Sequence, residues 1–305
     1  MESIKIGTRK SPLALWQAKL VEKKLQNTGV NTEIIPISSE GDLNLKQPIY
    51  ELGISGVFTR SLDIALLNDQ IDIAVHSLKD VPTLLPKEIE LKGFMKRGNP
   101  FDILVYKSET IFEKEKRTIA TGSLRRKAFW LNKFPHDTIE NLRGNVQLRI
   151  QKLIDSNWDG AIFAFAGLDR SEILTNLEQQ GLKYQILDWM IPAPSQGIVG
   201  ITAKKEIELP QISDINSKIC ATIERQFLNT LEGGCTAPIG AFATVQNETI
   251  NFKGAILSLN GVTQISIEKS FPVNQYENKG MELAETSINK GAKEIIEQIK
   301  NELDT

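Results

Sequence analysis

From the amino terminus to about residue 205, short apolar runs alternate with longer amphipathic stretches, and no other feature narrows the fold as much. The pattern is that of βαβ units. It predicts strands at 5–7, 33–37, 71–75 and 91–95, helices over 12–27 and 56–68, and a largely parallel sheet. A second series follows at 103–106, 118–121, 138–141, 160–164 and 184–187, with helices starting near Leu124, Val146 and Leu168. Segment 189–203 carries Pro192, Pro194, Gly197 and Gly200 before an apolar run, as expected of a chain returning to its first unit. After a helix over 213–230 the texture changes to antiparallel alternation at 241–245, 249–257 and 264–270, closed by a helix over 281–302. The fold class read here is α/β: two doubly wound domains plus a small α+β C-terminal domain. Their bounds are 1–98 with 195–212, then 99–194, then 213–305.

Composition removes several function classes. A net charge of −2 over 305 residues argues against a general affinity for nucleic acid, so any basic site must be local. Cys220 and Cys235 have no CxxC spacing, and His76 and His136 are the only histidines, so neither a disulfide framework nor a metal cluster is expected. The start MESIKIGTRK resembles no targeting segment, and no run approaches ~18 apolar residues. The expected address is the cytoplasm, with no membrane contact.

The helix starts carry the strongest chemical signal. A cation in the first turn of a helix costs about 0.3–1 kcal/mol because the N-terminus is already positive. Yet Arg9 and Lys10 precede Ser11–Pro12, a cap followed by proline, and Ser123 caps a helix whose first turn holds Arg125 and Arg126. Arg143 precedes Asn145, another expected cap, with Arg149 one turn in, and Arg170 is expected in the first turn of the helix after Gly167. Each start follows a predicted strand, and in a doubly wound sheet such turns gather at the carboxyl edge, where ligands bind. Six arginines facing one edge would repel one another unless an anion lay there. Guanidinium forks match carboxylate and phosphate alike. With no GxxxxGK[ST] and no GxGxxG opening a helix, a ligand with several carboxylates is the better account.

The strand-like run IDIAVHSLKDVP ends in His76, Ser77, Lys79 and Asp80. Asp80 would face a basic pocket, where opposite charge keeps a carboxylate ionised and able to hold N–H groups or a cation; a loop cap is the plainer alternative. Phe58 fits either a lid over a flat ligand or the core. Cys235, on the small-residue loop LEGGCTAPIG, is either a buried structural thiol or a sterically open attachment point. The residues alone also leave room for a reversible dicarboxylate-binding protein, and less room for a nucleic-acid module.

TRKSPLALWQA (8–18), DIAVHSLKDVP (72–82), SLRRKA (123–128), NLRGNVQLR (141–149), AGLDR (166–170), PAPSQG (192–197) and LEGGCTAPIG (231–240) occur in order. As an ordered set they resemble the porphobilinogen deaminase (hydroxymethylbilane synthase) family of tetrapyrrole biosynthesis. The resemblance implies three domains, the first two arranged like periplasmic binding proteins. It implies a dipyrromethane cofactor held by Cys235 through a thioether. Onto this cofactor four porphobilinogens are added with loss of ammonia, and water then releases hydroxymethylbilane for the next tetrapyrrole enzyme. Asp80 would be the catalytic carboxylate, stabilising the cationic azafulvene. Ser77, Lys79, Thr121, Ser123, Arg125, Arg126, Gly167 and Gln196 would bind cofactor; Arg9, Ser11, Phe58, Arg143, Arg149 and Arg170 would bind substrate. No metal and a monomer are implied. Three positions depart from the family pattern: Ser55 stands where a lysine is usual, with Arg60 nearby, Ser195 where a glycine is usual, and Thr202 where an acidic residue is common.

Overall fold

The computed structural model of the chain describes residues 3–38, 59–231 and 237–303. The chain begins with β1 (Ile4–Arg9) and α1 (Pro12–Gln26). Ser11 caps α1, its side chain accepting from Ala14 N, and Pro12 occupies the first helical position. Gln17, Ala18, Val21 and Leu25 line the buried face of α1 at helical spacing. Then come β2 (Thr32–Ile37), α2 (Arg60–Leu67), β3 (Ile73–Ser77) and β4 (Ile89–Phe94).

A second series runs β5 (Asp102–Tyr106), β6 (Thr118–Ala120), α3 (Leu124–Lys133), β7 (Thr138–Glu140), α4 (Val146–Asp155), β8 (Gly160–Ala164), α5 (Phe165–Arg170) and β9 (Lys183–Leu187). The chain then returns as β10 (Val199–Lys204). It finishes with α6 (Ile215–Thr230), the strands β11 (Ile239–Gln246), β12 (Thr249–Leu257) and β13 (Gln264–Pro272), and the helices α7 (Lys279–Ser287) and α8 (Lys293–Leu303).

The first sheet has the order β2-β1-β3-β10-β4, the second β7-β6-β8-β5-β9, and the third is the antiparallel β11-β12-β13. Both five-stranded sheets are largely parallel, as expected, each with one strand reversed. β1 is parallel to β2 and β3, and β6 to β7 and β8, but β10 and β5 run antiparallel to both of their neighbours. The reason lies in where the chain crosses between sheets. Asp102 opens β5 opposite Ala164, the last residue of β8, and Val199 opens β10 opposite Ser77, the last residue of β3. Both strands therefore enter at the carboxyl edge and run downwards. The crossing segments lie side by side, with Met95 N donating to Val199 O (2.9 Å) and Gly98 N to Gly197 O (3.0 Å).

Two helix expectations are corrected. The helix expected near Leu168 starts at Phe165, and the single helix expected over 281–302 is two helices, broken where Gly291 adopts φ 102°.

α6 joins the third sheet to the crossings. Glu224, fully buried, receives Arg97 Nη1 at 2.8 Å and Nη2 at 2.6 Å, Ser195 N at 2.6 Å and Ala243 N at 2.7 Å. Cys220 is buried on the same helix, where desolvation and then Glu224 push its thiol up to about 12, leaving an inert packing residue. At the β12–β13 turn, Gly261 adopts φ 74° and lies so close to the backbone of α3 that a Cβ would come within 2.5 Å of Ala128 O.

Candidate active site

β3 is buried through His76 and is followed by one turn of 3-10 helix, Leu78–Asp80. Leu78 is fully buried and pins this turn, so Lys79 and Asp80 are left at the carboxyl edge, each partly exposed. Asp80 shares a small cavity of about 60 Å³ with Arg9, Ser11, Gln17, Thr59 and Ser77. Gln17 Nε2 donates to Ser77 Oγ at 2.8 Å. Lys79 Nζ donates to Gln196 Oε1 at 3.3 Å. Desolvation pushes the Lys79 amine down to about 8, with Asp80 and Asp102 opposing the shift and Arg126 and Arg125 adding to it.

His76 is buried with Nε2 3.0 Å from Thr202 Oγ1. Desolvation, and then Arg9, push its ring down to about 3, so it is neutral at physiological pH. The Thr202 departure thus gives a neutral histidine a neutral partner.

The second sheet supplies the facing wall. Thr121 follows β6 and accepts from Ser123 N (3.2 Å), and Ser123 caps α3 as expected. Arg125 and Arg126 project from the first turn of α3 and are buried with Asp102 between them. Asp102 Oδ2 meets Arg125 Nη2 at 2.7 Å, and Oδ1 meets Arg126 Nε at 2.9 Å and Nη2 at 2.8 Å. Gln196 Nε2 donates to Asp102 Oδ1 (3.0 Å) and to Pro100 O (2.7 Å). Burial alone would raise the Asp102 carboxyl, but the two guanidiniums and Gln196 outweigh it and hold it at about 2. Arg125 Nη1 also donates to Ile191 O and Arg126 Nη1 to Ile162 O.

Part of the anion that the arginine pattern required is therefore the chain's own Asp102. Sequence reasoning missed it, and its one signal was a lone acid heading the apolar run DILVY. Gln17 and Glu224 were missed as well, being polar residues that ride unremarked inside helical patterns.

Ahead of α4, Gly144 adopts φ 118° and Asn145 caps the helix, accepting from Leu148 N at 2.9 Å. Arg149 Nε donates to Gly144 O at 2.6 Å. Desolvation, then Arg126 and Arg143, push the Arg149 guanidinium down to about 10; Asp80 opposes the shift and Arg9 adds to it. These mutual fields mean that Arg9 and Asp80 from the first sheet share one space with Arg126, Arg143 and Arg149 from the second.

Arg170 is different. Because α5 starts at Phe165, Gly167 lies within the helix and Arg170 is its last residue, where the helix dipole favours a cation. The first-turn expectation for Arg170 is corrected accordingly. Its Nη2 donates to Gly197 O at 2.6 Å, and its guanidinium lies 5.3 Å from the centroid of the Trp16 ring, placing it against the crossing segments. Cys235, Phe58, Ser55 and Gly56 lie outside the described residues.

Six cations (Arg9, Lys79, Arg125, Arg126, Arg143, Arg149) thus face two carboxylates (Asp80, Asp102) among the described residues. Positive charge is in excess by count, burial pushes Lys79 and Arg149 down, and Arg125 Nε is buried with no hydrogen-bond partner among the described residues. Such a donor set fits a group bearing several carboxylates. Fold and site together define an α/β protein whose facing carboxyl edges are lined with cations suited to a polycarboxylate, beside one aspartate.

The comparisons agree with that class. Residues 4–210 match the porphobilinogen deaminase dipyromethane cofactor binding domain, and residues 218–289 match the porphobilinogen deaminase C-terminal domain. The porphobilinogen deaminase of Syntrophotalea carbinolica is 35% identical over 303 residues, covering 96% of this chain and 95% of the relative. That of Desulfitobacterium hafniense is 36% identical over 315 residues, covering 100% of both. The chain belongs to the porphobilinogen deaminase family. Among solved structures it is similar to the Bordetella pertussis BvgS periplasmic VFT2 domain, with TM-score 0.42 and 11% identity, over 67% of this chain and 82% of that one.

Proposed function

We propose that the chain polymerises four porphobilinogen molecules head-to-tail onto a covalently held dipyrromethane, releasing ammonia at each addition and finally hydroxymethylbilane. The observation that carries this reading is one carboxylate, Asp80, placed among more cations than the protein itself neutralises. When bound, dipyrromethane supplies the pyrrole carbon on which the chain starts, together with acetate and propionate groups.

The protein's own residues do the rest. Asp80 accepts pyrrole N–H groups and stabilises the positive charge that develops on the substrate as ammonia leaves, an interaction stronger in the transition state than in the ground state. Lys79, Arg125, Arg126, Ser77, Thr121, Ser123, Gly167 and Gln196 hold cofactor carboxylates or shape the space around them. Arg9, Ser11, Phe58, Arg143, Arg149 and Arg170 bind the substrate. The thiol of Cys235 is the attachment point. The domains are 1–98 with 195–212, 99–194 and 213–305, and the protein acts as a cytoplasmic monomer that passes its product to the next tetrapyrrole enzyme. No helix among the described residues is long and apolar enough to cross a membrane.

The test is the intact mass of the purified protein under denaturing conditions, before and after adding porphobilinogen. Two pyrrole units above the sequence mass, then a ladder of single-unit increments, are expected; Cys235→Ala should show neither. Reversible binding with no ladder and no ammonia release, even after attempted loading with porphobilinogen, would refute the reading in favour of a dicarboxylate-binding protein.

A further inference from the structure

Ala221, Arg225 and Asn229 are spaced by four and form one stripe along α6. All three turns of that stripe grip the segment that carries Asp80. Ala221 packs with Leu78 and Val81 in a buried cluster. Arg225 donates from Nη1 to Val81 O at 2.8 Å and from Nη2 to Pro82 O. Thr83 Oγ1 donates to Asn229 Oδ1 at 3.0 Å.

Residues 81–85 belong to neither strand nor helix, and Pro82 has no N–H to offer a partner. Among the described residues no backbone N–H reaches Val81 O or Pro82 O, and the planar guanidinium fork of Arg225 fixes both at once. A neighbouring face of α6 fastens the helix to the crossings: Ser217 Oγ accepts from Arg97 N at 2.9 Å, and Glu224 binds Arg97 and Ser195 N.

We propose that this stripe of α6, and Arg225 above all, is a positioning device that sets the turn bearing Asp80 in register with the crossing segments to which α6 is fastened. The proposal rests on the role given to Asp80 above. The aspartate must meet the reacting end of the substrate at each cycle. Registration of its turn is then a requirement of every addition, not only of folding.

The test replaces Arg225 in the cofactor-loaded protein, with loading checked by intact mass. Arg225→Met keeps the apolar stem and removes the donors. A shift of the order of 1 Å at a reacting group costs ~10- to 100-fold in rate, so kcat should fall by about that much. KM should stay within roughly threefold, because the carboxylate-binding groups are untouched. Arg225→Lys, which can still reach one carbonyl, should recover part of the loss. Hydrogen exchange should quicken at amides 78–85 and stay unchanged in β5 and β8.

A loaded Arg225→Met protein with kcat within about twofold of the parent would overturn the proposal. So would unchanged exchange at 78–85, a result that does not depend on the assignment of Asp80. Should that variant fail to fold, Thr83→Val, Asn229→Ala and their double variant serve instead. The double should lose no more kcat than the worse single, and fully additive losses would count against the device. An Asp80→Asn variant keeping most of its kcat would instead defeat the functional reading on which the proposal rests.

Discussion

Replacing Asp102 by asparagine keeps its shape and removes one charge, and the structure gives the size of the effect. The carboxylate is fully buried and contacts Arg125 and Arg126 at 2.7–2.9 Å. It is held at about 2 against an ordinary 3.8, which by linkage is about 2 kcal/mol of stability at neutral pH. The variant additionally strands two buried guanidiniums, so the total cost should approach about 3–5 kcal/mol.

The pH dependence has a definite sign. The folded pKa lies below the unfolded one, so the contribution is fully present above about 3.8 and fades as pH falls through about 2. Urea unfolding followed by far-UV circular dichroism is the assay. The gap between parent and variant should be constant from about pH 7 to about pH 4.5 and should narrow below that. A gap under about 1 kcal/mol at neutral pH, or one that widens on acidification, would refute the reasoning.

Other outcomes are expected at the site itself. Asp80→Asn should fold and retain attached pyrrole while kcat drops by roughly 10²–10³, and a variant keeping most of its kcat would remove Asp80 from the chemistry. Because Lys79 loses its proton near 8 in the free protein, kcat/KM should decline above that pH, and Lys79→Arg should flatten the decline. Ser195 holds φ 64°, and its buried Oγ has no hydrogen-bond partner among the described residues. Ser195→Gly should therefore gain about 1 kcal/mol, read as a higher Tm, and a lower Tm would contradict this account.

Local signals made much of this legible in the sequence. Ser11, Ser123 and Asn145 cap helices where expected, and β8 and β12 occupy the predicted ranges, because caps and hydrophobic period act over a few residues. What escaped depended on distant partners or on a missing boundary. The directions of β5 and β10 follow from crossings at the carboxyl edge, which no local pattern encodes. The start of α5 is hidden because Ala164 offers no capping side chain and the run AIFAFAGL passes from strand to helix without a break in apolarity. Asp102 looks in sequence like any surface acid at a strand end. Only the fold places it between two arginines twenty-three and twenty-four residues away.

The paired crossings carry a mechanical consequence. Two chains tied to each other by the Met95–Val199 and Gly98–Gly197 hydrogen bonds form a strip rather than a tether. Such a strip resists sliding of one segment along the other but bends across its thin direction, so the two halves it joins can change their mutual angle more readily than they can slide. Accommodating successive additions to a product between those halves is then chiefly a change of angle, and a pair of distance labels, one on each half, would read it out.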